Sequence, residues 1–169
     1  MKFKINGKTV HLVNLKKGFD HDLFDMWYAQ LVIDGKKIAN FVPNGYGGAD
    51  GIHLIDHTSE SLEALRWFNQ TADSIMAEFD FTEADSLLIE ELIGMTLVYR
   101  TIKREMKKGV VFCKPDQDEG AYYVQKDCGL EMVKRQFPDG IFADDLGLDA
   151  FILHVCRDLE TAKHVAKES

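Results

Sequence analysis

The chain has 169 residues, of which 46% are hydrophobic and 28% charged, a composition typical of a globular protein and not of a disordered one. Its formal net charge is -8, so nucleic-acid binding would need a local basic patch, whereas an acidic surface suits a basic site on another protein. No run of about 18 apolar residues and no signal-peptide core occurs, and the three cysteines show no metal-type spacing. We therefore expect one cytoplasmic domain without membrane contact or cofactor.

Residues 1–57 are predicted to be mainly β. Apolar residues alternate on both sides of an Asn6-Gly7 turn, at Phe3, Ile5, Val10 and Leu12. They alternate again before an Asp34-Gly35 turn, at Trp27, Ala29, Leu31 and Ile33. These hairpins predict a small antiparallel sheet with one buried face. We interpret the polar stretch between them, residues 16–25, as a connecting loop, with an exposed aromatic contact surface as the alternative.

Residues 58–109 are predicted to form a helical hairpin packed on the sheet. The first helix has apolar residues three and four apart, at Leu62, Leu65, Phe68, Ala72, Ile75 and Phe79, and either Thr58 or Ser59 can cap its start. The second opens at the capping-box-like run Thr82-Glu83-Ala84-Asp85, and its stripe comprises Leu88, Leu92, Met95, Tyr99, Ile102 and Met106. Basic residues followed by Gly109 are typical of a helix C-terminus, which predicts Gly109 as the C-cap.

A second β-hairpin is predicted over residues 110–126, with strands from Val110 to Lys114 and from Ala121 to Gln125. Residues 127–169 are predicted to be mainly helical. A short helix runs from Leu130 to Phe137, and apolar spacing between Leu148 and Ala166 predicts one terminal helix. The predicted fold class is therefore α+β, in a single domain over residues 1–169.

Several short segments resemble a group of small uncharacterised proteins encoded by phages and mobile elements. The segments are "NGYGG" after a β-hairpin, the run "GVVFCKPDQDEGAYYVQK" after a helical middle, and "VKRQFPDGI". The resemblance covers about residues 1–142, and the helix after residue 145 lies outside it. It implies a phage or prophage origin and a site of action in the host cytoplasm. It brings no activity or catalytic residues to carry over.

The glycine-rich turn is the first candidate ligand site, formed by Asn44, Gly45, Tyr46, Gly47 and Gly48 with His53 nearby. A glycine-rich turn before a helix can present backbone N–H groups to a phosphate, yet this run matches neither a P-loop nor a dinucleotide fingerprint. The competing interpretation is a turn that only shapes the backbone. His53, Asp56 and His57 are weak candidates for a metal site, against a packed strand that leads to a helix start.

Three other groups of residues are candidates for a reactive or ligand-binding role from the sequence. Asp20-His21-Asp22 would hold a proton-transfer pair only if the fold brought the side chains together. Cys128, in a predicted turn, is the cysteine with the exposure that a reactive thiolate needs, whereas Cys113 and Cys156 fit burial. The basic residues Lys103, Arg104, Lys107, Lys108, Lys134 and Arg135 fit either a phosphate backbone or ordinary helix ends.

The sequence contains no complete catalytic motif, and we predict no catalytic residue. The acidic residues Asp116, Asp118 and Glu119, at the tip of the second hairpin, are the predicted partner-binding surface. The predicted function is that of a phage-type accessory protein that binds a host protein, such as a component of antiviral defence. The alternative is a protein that binds or hydrolyses a nucleotide or cyclic oligonucleotide with the glycine-rich turn at residues 44–48 and with His53, Asp56 or His57.

Overall fold

The computed structural model describes residues 1–19, 25–44, 50–77, 83–115, 118 and 120–167. It is an α+β structure, as predicted, and divides into two compact units, one made mainly of residues 1–94 and the other of residues 95–166. In the described part of the chain, no helix is both long and apolar enough to cross a membrane.

The first unit is built on a five-stranded antiparallel sheet in which each strand pairs with the next along the chain. Its strands are β1 (Phe3–Ile5), β2 (Lys8–Phe19), β3 (Asp25–Ile33), β4 (Lys36–Val42) and β5 (Gly51–Leu54). Both predicted two-residue turns are confirmed, because their central residues have positive φ: 46° and 77° at Asn6-Gly7, and 48° and 85° at Asp34-Gly35. This geometry matches the twist of the flanking strands.

The interpretation of residues 16–25 as a connecting loop is wrong for the part that the structure describes. Residues 16–19 continue β2 and pair with residues 25–28 of β3, beyond the ends of the other strands. Lys17 and Asp25 form an ion pair of 2.8 Å, and a Cβ built on Gly18 would lie 2.7 Å from the ring carbon Cε2 of Tyr28. A two-stranded extension has no core face, so it lacks the apolar alternation that marks a strand. Asp20, His21 and Asp22 lie outside the described residues.

Helix α1 (Ser59–Ile75) lies against β4 and β5. Thr58 is its N-cap, since its hydroxyl oxygen accepts the backbone N–H of Ser61 at 3.3 Å. Phe68, Ala72 and Ile75 are buried as predicted, but Leu62 is 45% exposed. The first buried residue of α1 is therefore Ser61 and not Leu62. Phe79 lies outside the described residues.

Helix α2 (Ala84–Glu105) buries most of its predicted stripe: Leu88, Leu92, Met95 and Ile102 are fully buried. The boundary between the two units falls within this helix, after Gly94. The prediction of Gly109 as a C-cap is wrong, because Gly109 is the first residue of a strand and does not have positive φ. A Cβ at Gly109 would collide with the carbonyl oxygen of Gln125 on the neighbouring strand, which explains the glycine.

The second unit contains a three-stranded antiparallel sheet in the order β7-β6-β8. Its elements are β6 (Gly109–Cys113), β7 (Tyr123–Lys126), α3 (Leu130–Gln136), β8 (Ile141–Phe142), α4 (Ala143–Leu146), α5 (Leu148–Val155) and α6 (Glu160–Lys167). The predicted hairpin and the helix at 130–136 are confirmed. Val110, Phe112, Val133 and Phe142 form a core against which Phe137 packs, and the Phe112 and Phe137 ring centroids are 4.8 Å apart.

The single terminal helix predicted after residue 148 is two helices. The chain leaves α5 at Cys156, and Leu159 N–H donates to the Cys156 carbonyl at 3.0 Å in the turn before α6. Apolar residues on both sides of this turn keep a helical spacing, so the periodicity conceals the break. Strand β8 was not predicted, because two residues are too few to show an alternation.

Candidate functional site

The glycine-rich segment connects two strands. The backbone N–H of Asn44 donates to Asp50 Oδ1 at 2.6 Å, which joins the ends of the segment, and β5 follows directly. Strand β5 therefore separates these glycines from α1, so the arrangement expected of a phosphate-binding turn, with a helix immediately after it, is absent from this part of the fold. Gly45, Tyr46, Gly47 and Gly48 themselves lie outside the described residues.

Asp56 belongs to the start of α1. Its Oδ1 accepts the Thr58 backbone N–H at 3.2 Å and the Thr58 hydroxyl at 2.7 Å. Side-chain hydrogen bonds from Ser61 and then Thr58 lower the pKa of Asp56 to about 2. His53 and His57 point to solvent, and the described residues contain no group of three His, Cys, Asp or Glu side chains placed to hold a metal ion.

Of the three cysteines, Cys128 is half-buried, while Cys113 and Cys156 are buried, as predicted. Burial raises the pKa of the Cys113 thiol, whose sulfur lies 3.4 Å from the Ala121 carbonyl oxygen. A raised pKa keeps this thiol protonated and unreactive. The Cys128 sulfur accepts from Gln125 Nε2 at 3.8 Å, and neither contact supplies a base for nucleophilic catalysis.

The basic residues near the end of α2 are partly neutralised by acidic neighbours. Glu105 accepts from Lys108 at 2.8 Å and lies 3.4 Å from Arg104 Nε. In the same unit, Lys134 Nζ lies 2.7 Å from Asp145 Oδ1. These ion pairs weaken the positive field around the basic residues. They favour the interpretation of these residues as ordinary helix ends over a surface that binds a phosphate backbone.

The acidic tip of the second hairpin is described only at Asp118, which is exposed. Its carbonyl accepts the Ala121 N–H at 3.3 Å, and the Gly120 N–H donates to the Val155 carbonyl of α5 at 3.1 Å. The first bond lies within the tip, and the second attaches the tip to α5. Asp116 and Glu119 lie outside the described residues.

A surface that the sequence did not single out lies on the first sheet. Phe3, Ile5, Val10, Leu12 and Leu31 are buried on one face, so the alternate residues point to the other face. We call this second face the outer face; its members are Lys2, Lys4, Thr9, His11, Val13, Asn14, Gln30, Val32, Lys37, Asn40 and His53. Val32, at its centre, is only 3% exposed. Four strand spacings of about 4.8 Å make it about 19 Å wide from β1 to β5.

One row of the outer face is basic. His11 lies opposite Val32, and Val32 lies opposite Lys37. Lys2, the residue before β1, acts electrostatically on His11. Lys2, Lys4 and Lys37 are exposed and form no ion pair with a described residue. Burial lowers the pKa of His11, and the charges of Lys2 and the N-terminal amine lower it further. This row therefore combines exposed cations with a neutral imidazole.

The adjacent row of the outer face is made of amides. Asn14 Nδ2 donates to Gln30 Oε1 at 2.6 Å, and Gln30 Nε2 donates to Asn40 Oδ1 at 3.0 Å. Asn40 lies opposite His53 on β5. Because the Asn40 side-chain oxygen accepts the bond from Gln30, the Asn40 NH2 group can donate to a ligand. This NH2 group lies on the strand beside that of the exposed His53 imidazole. The hydrogen bonds hold these side chains in place before any partner binds.

The outer face contains no aspartate or glutamate among its members. At its edge, the carboxylate of Asp34 accepts the Thr9 backbone N–H at 2.8 Å and so belongs to the β3–β4 turn. Some lysines elsewhere in the described chain have acidic partners, as in the pairs Lys36 with Glu60 and Lys163 with Glu160. The outer face is thus a cationic, hydrogen-bonding surface on a chain of net charge -8.

The second unit has a shallow cavity of about 260 Å³ beside the turn at residues 137–140. Lys114 Nζ lies 4.7 Å from the Tyr123 ring centroid and 5.3 Å from that of Phe137. Sites for drug-sized ligands occupy about 300–1,000 Å³, so this cavity is small for a nucleotide.

No model of a known protein family matches this chain, and comparisons with characterised proteins and with solved structures found no match either.

Proposed function

We propose that this chain is a non-enzymatic, phage-type accessory protein that binds a host protein through the outer face of its first sheet. The observation that carries the proposal is the row of hydrogen-bonded amides across β2, β3 and β4, which lies beside a row of cations. Asn14 is exposed in this row, and Gln30 and Asn40 are half-buried. Side chains that are ordered before binding lose little conformational entropy in a complex.

The chemistry of the outer face suits protein recognition. Amide side chains donate and accept hydrogen bonds, so they pair with the backbone and polar side chains of a partner. Lys2 and Lys4, at the β1 edge of the sheet, match the polar rim that surrounds most protein interfaces. The proposed setting is the host cytoplasm, with a component of antiviral defence as the partner, in keeping with the resemblance of the sequence to phage proteins.

Affinity capture from host lysate tests the proposal. The tagged chain is compared with Asn40→Ala/His53→Ala, which removes an amide and an imidazole from the outer face. The matched control is Gln70→Ala/His57→Ala, which removes the same groups from exposed positions elsewhere. We expect a partner that the wild type and the control recover and that the outer-face variant loses, at unchanged melting temperature.

The acidic hairpin tip is the competing surface, and charge reversal at Asp116, Asp118 and Glu119 tests it in the same capture. If the tip variant loses the partner and the outer-face variant keeps it, the binding surface is the tip and the assignment to the outer face is wrong. If neither variant changes recovery, both surfaces are excluded.

Small-ligand binding at the glycine-rich segment is the second candidate function. It is favoured by the hydrogen bond between the Asn44 N–H and Asp50 Oδ1, the two described residues on either side of the glycines, and by the exposed His53 on β5. A thermal-melt screen against nucleotides, cyclic oligonucleotides and divalent metals tests it, because a ligand at 100 times its dissociation constant adds about 2.7 kcal/mol. A shift that Gly47→Ala or His53→Ala abolishes would support this function; the same shift in wild type and both variants would exclude this site.

A further inference from the structure

We infer that the partner of the outer face is an acidic protein segment, whose carboxylates lie against Lys2, Lys4 and Lys37 and receive hydrogen bonds from Asn40 and His53. The inference rests on the proposed binding function and specifies the chemistry of the partner.

The charge of the outer face is the first argument. Lys4 and Lys37 are exposed on β1 and β4, and no described carboxylate pairs with either. By contrast, Lys17 pairs with Asp25, on the extension of β2 and β3. At physiological ionic strength a charge acts over about 8 Å, so the local cations, and not the distant acidic surface, set the field that a docked partner meets.

The free hydrogen-bond donors are the second argument. Asn40 accepts from Gln30 through its carbonyl oxygen, so the amide NH2 is what it offers outward. His53, opposite Asn40, offers a ring N–H. Carboxylates only accept hydrogen bonds, and a bond from a neutral donor to an ionised acceptor is stronger than one between neutral groups. Donors and cations in adjacent rows therefore select for carboxylates.

The distribution of aromatic rings favours protein over nucleic acid. Single-stranded nucleic acids bind by stacking bases on exposed rings. The one ring that the register places on this side of β3 is that of Tyr28, which is half-buried and lies over Gly18. Trp27 has the same orientation as the buried Ala29, toward the other face. Among the described residues, the outer face therefore has no exposed Phe, Tyr or Trp ring on which a base could stack, which favours an acidic protein segment over nucleic acid.

Fluorescence anisotropy with defined probes tests the inference. The acidic probe is a labelled peptide of about twelve residues that alternates Glu and Ser, because carboxylates two residues apart in an extended chain are about 6.8 Å apart, like successive outward side chains of a strand. The control peptide replaces each Glu by Gln. A single-stranded thymidine oligonucleotide with the same number of charges is the nucleic-acid probe.

The wild type is compared with Lys4→Glu/Lys37→Glu and with the charge-matched control Lys103→Glu/Lys107→Glu at the end of α2. We expect the acidic peptide to bind more tightly than the Gln peptide and the oligonucleotide. The affinity for the acidic peptide should fall at least about tenfold in Lys4→Glu/Lys37→Glu. It should fall less than about threefold in Lys103→Glu/Lys107→Glu. If Lys4→Glu/Lys37→Glu does not fold, the milder variant Lys4→Gln/Lys37→Gln replaces it. We expect this variant to show an intermediate loss of affinity.

Equal affinity for the Glu and Gln peptides, tighter binding of the oligonucleotide, or equal losses in the two Glu variants would overturn the inference. Failure of the proposed function gives a different pattern. A host partner that Asn40→Ala/His53→Ala loses and Lys4→Glu/Lys37→Glu retains would keep the binding function and remove the acidic partner. A Glu-selective peptide response without any host partner would support the acidic specificity and remove the host-protein function.

Discussion

Replacing Thr58 by alanine tests whether the start of α1 is held as the structure shows. The Thr58 hydroxyl oxygen accepts the Ser61 backbone N–H at 3.3 Å, and the hydroxyl donates to Asp56 at 2.7 Å. Alanine removes both bonds and leaves the Ser61 N–H without its partner in the first turn. Ser59, the other residue able to cap the helix from its position in the sequence, is exposed and lies inside the helix.

Loss of an N-cap threonine costs about 1 kcal/mol, with a range of about 0.5–2 kcal/mol. For a domain of this size, that loss lowers the melting temperature by about 2–4 °C. Ser59→Ala is the matched control, because it removes a serine hydroxyl one residue further on, and we expect a change within about 0.5 kcal/mol.

The pH dependence gives a second measure of the same contact. The pKa of Asp56 is lowered to about 2, so its ionised form contributes stability that is present above its ordinary value of 3.8 and lost as pH falls toward 2. The Ser61 hydroxyl is the largest single cause of the lowered pKa, and the Thr58 hydroxyl is the next. Because Thr58→Ala removes the second of these, the difference in stability between wild type and Thr58→Ala should narrow as pH falls from 4 toward 2.

Urea unfolding followed by circular dichroism, at pH 7 and at pH 3, measures both effects. If Ser59→Ala destabilises as much as Thr58→Ala, the cap is misassigned. If the difference between wild type and Thr58→Ala widens at low pH, Asp56 is not held in its ionised form by Thr58.

Three further changes are predicted. Gly109→Ala should destabilise by about 1–3 kcal/mol, because its Cβ would collide with Gln125, whereas Gly94→Ala, in open space within α2, should stabilise by up to about 1 kcal/mol; chemical denaturation of the pair checks this, and equal effects would contradict it. Phe112→Ala, at a fully buried ring, should cost about 3–5 kcal/mol in denaturant unfolding, and a loss below about 1 kcal/mol would exclude this ring from the core. His11→Leu should retain more of its pH 7.5 stability at pH 5.5 than the wild type does. The pKa of His11 is lowered in the fold, so wild-type stability falls as pH drops below the unfolded value of about 6.5; parallel melting curves would contradict this.

Much of the secondary structure followed from local patterns in the sequence. The Asn6-Gly7 and Asp34-Gly35 turns were predictable because few residue pairs adopt positive φ twice in succession, and the alternation beside them marked the buried face. The stripe of α2 was predictable from its period. The extension of β2 and β3 was not, because an exposed two-stranded ribbon has no apolar alternation, and its Gly18 is explained only by the Tyr28 ring across the strands.

The candidate site shows where sequence interpretation ends. The alternation in each strand already implied which residues avoid the core, so Lys4, His11, Gln30 and Asn40 could have been assigned to the outward side of their own strands. Which outward residues become neighbours depends on strand order and register, and the β-bulges in β2 and β4 change that register. The amide row therefore appears only after the strands are paired.

By itself, the sequence determined the α+β class, the positions of the tight turns and the start of α1, because each depends on backbone preferences within a few residues. The tertiary structure alone decided the outer face and the role of Gly109. The physical reason is that these features arise from contacts between segments, and the pairing of β6 with β7, which brings Gly109 against Gln125, is not encoded in the residues beside either.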